Sequence, residues 1–87
     1  MNSWTTPEFW AAFAALSPAV QEAARRAFRL WQQNPRHGSL QFQRKGRFWC
    51  ARVGPGHRAL ALAVPDGFLW FWIGAHDEYE RMLCGSR

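Results

Sequence analysis

The sequence has little of what marks a disulfide-bonded, metal-binding or membrane-spanning protein. Its two cysteines, Cys50 and Cys84, cannot form a disulfide framework, and their spacing fits no metal motif. No apolar run approaches the roughly 20 residues that a membrane span needs. The chain does not open on a basic segment followed by an apolar stretch, as a signal peptide would. These absences predict a cytoplasmic protein with no metal, no cofactor and no membrane partner.

Motifs of two common enzyme classes are also missing. No Gly-rich phosphate loop is followed by Lys-Ser or Lys-Thr. The serines fall at a terminus, at a helix cap or in loops, and none lies in a nucleophile elbow. The sequence therefore supports neither a P-loop NTPase nor a Ser-His-Asp hydrolase.

Acidic residues are absent from the whole middle of the chain. None occurs between Glu22 and Asp66, although nine of the eleven basic residues lie there. Those nine are Arg25, Arg26, Arg29, Arg36, Arg44, Lys45, Arg47, Arg52 and Arg58. With a net charge of +5, an uncompensated basic region of this kind attracts nucleic acid or an acidic protein partner. The alternative is a solvated helix face that only adds solubility.

The apolar content is that of one small domain covering residues 1–87, with six tryptophans to fill its core. Two helices joined as a tight hairpin are predicted over residues 5–34. Thr5-x-x-Glu8 has the pattern of a capping box, Ser17-Pro18 ends one helix and begins the next, and Asn34-Pro35 ends the second. The second helix carries an apolar stripe that we expect to face the core: Val20, Ala24, Ala27, Phe28 and Trp31.

After Gly38 the apolar period changes to two, which is typical of strands. We expect four strands: one around residues 40–43, then Phe48–Val53, His57–Val64 and Phe68–Ile73. Short turns join them, so they should form an antiparallel meander. A final helix is predicted over His76–Leu83. The expected fold is α+β: an N-terminal helical hairpin packed on a four-stranded antiparallel meander sheet, with a short C-terminal helix.

The candidate functional residues lie at the ends of these strands. Arg58 follows a Gly-Pro-Gly turn and Arg52 precedes it, so their two guanidinium groups can converge on a phosphate. The alternative is that either arginine pairs with one of the C-terminal acids: Asp77, Glu78 or Glu80.

His76 and Tyr79 are three residues apart and share one helical face. The His side chain exchanges protons near neutral pH, and Tyr can stack on a base or hydrogen-bond a phosphate or 2′-hydroxyl. Alternatively, His76 caps the last helix and Tyr79 packs on Trp72.

The order and spacing of several segments, spanning nearly the whole chain, resemble the RelE/ParE superfamily of toxins from type II toxin–antitoxin systems. The ending looks most like a small ParE-type subgroup with Ile-Gly-x-His-x-x-Tyr. The segments are Trp31-Gln32-Gln33-Asn34-Pro35, Ser39-Leu40-Gln41-Phe42, Arg52-Val53-Gly54, His57-Arg58-Ala59-Leu60 and Trp72-Ile73-Gly74-Ala75-His76-x-x-Tyr79.

This resemblance implies a toxin that a cognate antitoxin holds inactive. In the RelE-like branch the activity is metal-independent cleavage of mRNA on the ribosome. Position by position, Arg58 matches the phosphate-stabilising arginine, and His76 and Tyr79 match the acid/base and stacking positions. Arg44 and Lys45 correspond loosely to further basic residues of that branch. The candidate catalytic residues are Arg58, His76 and Tyr79, and the candidate nucleic-acid-binding residues are Arg44, Lys45, Arg47 and Arg52.

Two features depart from the family pattern. The first strand is nearly absent, because only residues 1–4 precede the first helix. Phe48-Trp49-Cys50-Ala51 stands where the ribosome-dependent nucleases have a Lys-rich strand. Three functions therefore stay open: a nuclease acting on ribosome-bound mRNA, a ParE-type inhibitor of DNA gyrase, or a non-toxic relic that only binds its partner. For the toxins, the tryptophans beside a basic surface predict an antitoxin segment that is acidic with apolar anchors.

Overall fold

The computed structural model describes residues 2–85, with side chains through residue 81. These residues form five strands in one sheet and three α-helices. The strands are β1 (Asn2–Thr5), β2 (Gln43–Lys45), β3 (Phe48–Val53), β4 (His57–Val64) and β5 (Gly67–Ala75). The helices are α1 (Pro7–Ala14), α2 (Pro18–Gln33) and α3 (His76–Gly85). None of these helices is long and apolar enough to cross a membrane.

The sheet has the order β1-β5-β4-β3-β2, and β2 to β5 form the antiparallel meander that the turns predict. The expectation of four strands was wrong, because β1 pairs in parallel with β5 and makes the sheet five-stranded and mixed. Residues 2–5 have no apolar alternation of their own. Their strand conformation depends on hydrogen bonding to β5, and the Thr6 N–H continues the contact by donating to the Trp70 carbonyl at 3.1 Å.

Gly67 allows β1 to approach β5 this closely. It is the register partner of Asn2, and a Cβ built at Gly67 would collide with the Asn2 carbonyl. In the sequence, Gly67 indicates only the end of the β4–β5 turn. In the structure it also determines how β1 docks on β5.

The helix caps are confirmed in part. Ser17 accepts a hydrogen bond from the Val20 N–H at 3.4 Å, with Pro18 at the first helical position, as expected. The cap of α1 is Thr6, which accepts from the Phe9 N–H at 3.1 Å, rather than Thr5. Thr5 belongs to β1, and its hydroxyl accepts from the Trp10 indole at 2.8 Å.

The two N-terminal helices do not form a tight hairpin along their length. They touch near their connection, where Gln21 Nε2 donates to the Phe13 carbonyl at 3.0 Å. The Arg25 guanidinium lies 5.3 Å from the centre of the Phe13 ring at the same end. Farther along, α1 packs on β5 and α2 packs on β3, so the helices diverge over the sheet. The divergence leaves a groove between them.

The strand expected around residues 40–43 is not there. Gly38–Leu40 is a 3-10 turn, and β2 is confined to Gln43–Lys45. The His37 ring accepts from the Ser39 N–H at 3.2 Å and begins that turn. Leu40 is 2% exposed and Gln41 has a φ of 46°, so a turn, rather than a strand, puts Leu40 in the core.

The sheet has two faces with different coverings. On the face covered by α1 and α2, called the helix face below, the main core surrounds Trp31. The Trp31 ring meets Phe42, Phe68 and Trp70 edge-on, with centroids 5.4–5.9 Å apart. On the opposite face, called the α3 face below, a smaller buried cluster joins Cys50, Leu60 and Tyr79.

Phe28, a member of the predicted apolar stripe of α2, is not in the core. Phe28 is 40% exposed, whereas Trp31 is 1% exposed. Among the cysteines, Cys50 is buried as a free thiol, and the side chain of Cys84 lies outside the described residues.

Candidate functional site

A cleft of about 650 Å³ opens on the α3 face, where the β3–β4 turn meets the start of α3. Three residues singled out from the sequence line it: Arg52, Arg58 and His76. They come from the end of β3, the start of β4 and the start of α3. The chain thus brings together in one cleft three groups that are up to 24 residues apart in sequence.

The two arginines of the cleft lie opposite each other. The register of β3 and β4 pairs Arg52 with Arg58, which puts both side chains on the same face of the sheet. Arg52 is held by its Nε, which donates to the Gly54 carbonyl at 3.2 Å. Among the described side chains, neither arginine forms an ion pair with Asp77, Glu78 or Glu80. The pair therefore presents two guanidinium groups that can bind an anion.

Gly74 lies directly across from Arg58 on the other neighbouring strand. A Cβ at this position would come within 2.5 Å of the Trp72 ring. Gly74, two residues before His76, is therefore required by packing, because Trp72 occupies the space over it.

His76 is the first residue of α3, and its backbone N–H donates to the Gly56 carbonyl at 2.9 Å. This bond ties the start of α3 to the β3–β4 turn and so places the imidazole beside Arg58 in the cleft. Its Nε2 lies 3.3 Å from a carboxylate oxygen of Glu80, one helical turn on. Since 42% of the His76 side chain is exposed, the imidazole can exchange protons with a bound ligand or with water.

Tyr79 lies under the cleft rather than in its opening. The side chain is 4% exposed, and its ring centroid is 5.6 Å from that of His76. Burial raises the pKa of the Tyr79 phenol, and the neighbouring Cys50 thiol raises it further, while the positive charge of Arg58 acts in the opposite direction. The phenol is therefore neutral near physiological pH and supports the cleft from beneath.

The other predicted nucleic-acid-binding residues are not in the cleft. Arg44, Lys45 and Arg47 are exposed around the β2–β3 turn, at the opposite end of β3 from Arg52. Lys45 pairs with Phe48, four residues before Arg52, which corresponds to roughly 13 Å along a strand. The Nε of Arg44 donates to the Gly46 carbonyl at 2.9 Å. The structure therefore separates the candidate binding residues into two groups. One group is in the cleft, and the other lies around the β2–β3 turn.

Two residues of the cleft were missed in the sequence. Gln41 reaches the cleft because the 3-10 turn ends at this residue in a left-handed conformation. It was missed because its alternation with Leu40 in the sequence is typical of a strand. Asp77 also lines the cleft, whereas the sequence pointed to it only as an alternative ion-pair partner of Arg52 or Arg58. Across the described residues, no group of three or more His, Cys, Asp or Glu side chains is arranged to hold a metal ion.

No known family profile and no curated protein matches this sequence. The fold, in contrast, has clear relatives among solved structures. A chain of the RelB–RelE antitoxin–toxin complex from Methanococcus jannaschii superposes with a TM-score of 0.71 at 8% identity, over 91% of this chain and 96% of that one. The YoeB/ParE toxin from Agrobacterium tumefaciens gives a TM-score of 0.66 at 16% identity, over 87% and 99%.

The isolated RelE toxin from E. coli covers the most of this chain among these three. It superposes with a TM-score of 0.62 at 10% identity, over 98% of this chain and 97% of that one. At such identities the likeness concerns the fold, and the residues of the cleft have to be judged on their own chemistry. The chain has the fold of the RelE and ParE toxins.

Proposed function

We propose that this chain is the toxin of a type II toxin–antitoxin system and that it cleaves mRNA on the ribosome without a metal ion. The observation that supports this proposal is the pair Arg52 and Arg58, opposed in one cleft with His76 beside them. Like charges directly opposite on a sheet are destabilising, so an arrangement of this kind is best explained by an anionic ligand. A phosphate of the RNA backbone is such a ligand.

The proposed reaction is a transfer within the RNA. The 2′-hydroxyl attacks the adjacent phosphorus, its proton passes to a base, and the bond to the 5′-oxygen of the next nucleotide breaks. Negative charge on the phosphoryl oxygens grows as the transition state forms. Arg58, assisted by Arg52, would stabilise that charge, and stabilisation of this kind is often the largest catalytic term.

His76 would move the protons. The imidazole can accept the proton of the 2′-hydroxyl or deliver one to the leaving 5′-oxygen. The Glu80 carboxylate, at 3.3 Å from Nε2, would hold the imidazole in its orientation. Tyr79 is enclosed in the structure, so we assign it to positioning the His76 ring rather than to stacking on a base.

The basic residues outside the cleft fit a large anionic partner. Arg44, Lys45 and Arg47 would contact the backbone of mRNA or ribosomal RNA, where cations give affinity without sequence preference. A cognate antitoxin would hold the toxin inactive in the cytoplasm. Two of the similar solved structures are antitoxin–toxin complexes, which supports the expectation of such a partner.

The other candidate is a toxin that inhibits DNA gyrase. Two observations favour it: a YoeB/ParE toxin is among the similar solved structures, and Arg44 and Lys45 lie away from the cleft instead of contributing to it. A relic that binds a partner without toxicity is the third outcome of the test below.

The test is a translation reaction with one end-labelled mRNA, run with wild type, Arg58→Ala and Arg26→Ala. Arg26 is an exposed arginine of α2, which packs on the helix face, so its removal changes the net charge equally without touching the cleft. We expect cuts within the translated frame for wild type and Arg26→Ala. The Arg58→Ala variant should cut about 100 to 1,000 times more slowly.

Cuts that persist in Arg58→Ala would place the chemistry elsewhere. Intact mRNA would lead to a DNA supercoiling assay with purified gyrase. Inhibition there would favour the gyrase proposal, and no effect in either assay would favour the relic.

A further inference from the structure

The Arg52–Arg58 cleft contains one group whose charge has the wrong sign for an anion site. Asp77 lines the cleft, although a carboxylate repels the phosphate that the two arginines attract. Among the described side chains, the carboxylate forms no ion pair with either arginine, so it does not neutralise them. A ligand that suits the whole cleft therefore has an anionic group for the arginines and separate N–H donors for Asp77.

The dipole of α3 does not explain why Asp77 in particular lies in the cleft. Asp77 and Glu78 both belong to the first turn of the helix, where an acid is favourable, and both are exposed. Of the two, Asp77 lines the cleft and Glu78 does not. Glu78 is thus a reference for a carboxylate in the same helical turn that has no part in the cleft.

The cleft is large enough to hold more than a phosphate. Its volume of about 650 Å³ is within the range of about 300–1,000 Å³ that is typical of pockets for small organic ligands. Arg52 and Arg58 come from the adjacent strands β3 and β4, and Asp77 comes from α3, which packs on β4 and β5. Asp77 therefore lies to the α3 side of the arginine pair, where the base of a nucleotide next to the bound phosphate would be in reach.

Gln41 lies on the other side of the arginine pair. It ends the 3-10 turn Gly38–Leu40, which packs on β3. Its φ of 46° is uncommon for a residue other than glycine, and such conformations occur often at functional sites. The amide of Gln41 offers both donors and an acceptor, so it can hydrogen-bond any base. Discrimination between bases is therefore left to Asp77.

The Asp77 carboxylate can discriminate because it only accepts hydrogen bonds. Guanine has two neighbouring N–H donors on its Watson–Crick edge, at N1 and N2. Adenine and cytosine each have one amino group beside a bare ring nitrogen, whose lone pair repels a carboxylate. Uracil has a single N–H between two carbonyl oxygens. Of the four bases, guanine is therefore the one that a carboxylate binds best.

We infer that Asp77 is a specificity-determining residue, which selects a guanosine next to the phosphate that Arg52 and Arg58 bind. Gln41 contacts the nucleotide on the other side of that phosphate without selecting its base. Selection of this kind rests on the proposed function, because it takes the bound phosphate to be part of RNA. The chain itself, and not the ribosome alone, would then determine where mRNA is cut.

The experiment uses labelled RNA hexamers with 2′-O-methyl groups, which prevent attack by the 2′-oxygen and so separate binding from cleavage. All positions are uridine except the third, which is guanosine, inosine or adenosine. Fluorescence anisotropy measures their affinity for the full chain at about 50 mM salt, where phosphate contacts are strong. The guanosine hexamer should bind about tenfold more tightly than the adenosine hexamer. The inosine hexamer, which lacks the N2 amino group, should lie between them.

Asp77→Asn should remove the preference for guanosine, because an amide is both donor and acceptor. It should also bind all the hexamers more tightly, since it no longer repels their phosphates. Glu78→Gln is the matched control: it removes the same charge from the same helical turn and should keep the preference. Gln41→Gly suits the left-handed backbone and should weaken binding of all the hexamers while keeping the preference. Circular dichroism of each variant checks that it is folded.

Equal affinity of the wild type for the guanosine and adenosine hexamers would overturn the inference, and so would a preference that survives in Asp77→Asn. A preference lost equally in Glu78→Gln would mean an effect of net charge and would overturn it too. Absence of binding to every hexamer would have the same consequence, because the selection is assigned to the chain itself.

The hexamers need no ribosome and are not cut, so their result is independent of the cleavage test. A chain that cuts mRNA but binds the three hexamers equally would keep the proposed function and lose the selection by Asp77. A chain that selects guanosine without cutting mRNA would do the opposite.

Discussion

The two faces of the sheet differ in what fills them and in what they leave open. The helix face is aromatic and apolar, and its opening is a groove lined by Trp10 and Phe28. The α3 face has a small buried cluster, and its opening is a polar cleft with Arg52 and Arg58. Alternating side chains of the same two strands, β3 and β4, serve both faces. A five-stranded sheet thus supports the core and an apolar groove on one side and a polar cleft on the other.

This difference between the faces indicates which substitutions should change stability and which should change function. Removing an aromatic side chain from the helix face should cost folding energy, whereas removing a cation from the α3 face should not. Four predictions test this contrast, from the largest expected effect to the smallest.

Trp31→Ala should cause the largest loss of stability. Trp31 is 1% exposed and lies at the centre of the aromatic core, so its removal leaves a large cavity. The expected loss is about 3–5 kcal/mol in the free energy of unfolding, which is most of the stability of a domain this size. Chemical denaturation measures it, with Trp10→Ala as the exposed aromatic control at about 1 kcal/mol or less. Equal losses for both would remove the distinction between core and groove rim.

Gly67→Ala should destabilise the chain by about 1–3 kcal/mol, because the new Cβ collides with the Asn2 carbonyl and forces β1 away from β5. The control is Gly38→Ala, where a Cβ meets nothing within 4 Å and the expected change is below about 0.5 kcal/mol. Thermal unfolding of the two variants provides the comparison. A Gly67 variant as stable as the control would show that β1 contributes little to the fold.

Tyr79→Phe should remove a loss of stability that the wild-type chain shows at alkaline pH. The pKa of the folded phenol is raised above its ordinary value of 10.0, so the unfolded chain ionises first. The stabilising contribution of the neutral phenol is therefore complete below pH 10 and is lost as the pH rises above it. Unfolding measured across alkaline pH should show a steeper loss for wild type than for Tyr79→Phe.

The same prediction has a direct optical readout. Tyr79 is the only tyrosine in the chain, so tyrosinate absorbance in the near ultraviolet reports on it alone. Titration of the folded protein at or below the ordinary value would contradict the buried position under the cleft.

Arg58→Gln should give the smallest effect, and one of opposite sign. Relief of the repulsion between Arg52 and Arg58 should stabilise the chain by about 0.2–1 kcal/mol at low salt. The gain should shrink near 1 M salt, where the Debye length is about 3 Å. Arg26→Gln, on α2, is the control for the change in net charge. A clear loss of stability at low salt in Arg58→Gln alone would mean that this arginine has a structural partner, and the anion-site interpretation would fail.

The sequence predictions were correct where they depended on residues that are close together along the chain. The Ser17-Pro18 boundary and strands β3 and β4 were predicted within a residue, because caps, turns and alternation act over a few neighbours. The strand around residues 40–43 was wrong because a 3-10 turn placed Leu40 in the core instead. The fifth strand was missed because residues 2–5 carry no pattern of their own.

The candidate site divides in the same way. Arg52 and Arg58 flank one short turn, so their convergence could be predicted from the sequence. The position of Gln41 in the cleft could not be predicted. It depends on a left-handed backbone conformation that the alternation of polar and apolar residues does not indicate. The separation of Arg44, Lys45 and Arg47 from the cleft depends on which end of β3 each residue occupies, and charge composition carries no information about that.

By itself, the sequence determined the order of most elements, the acid-free basic middle and the arginines on either side of the β3–β4 turn. Each of these depends on residues that are close along the chain. Only the tertiary structure decided that β1 joins the sheet, that Tyr79 lies buried beneath His76, and that the two N-terminal helices diverge to leave the Trp10–Phe28 groove. These features arise from contacts between residues distant in sequence, and their free energy depends on how the packed elements fill space.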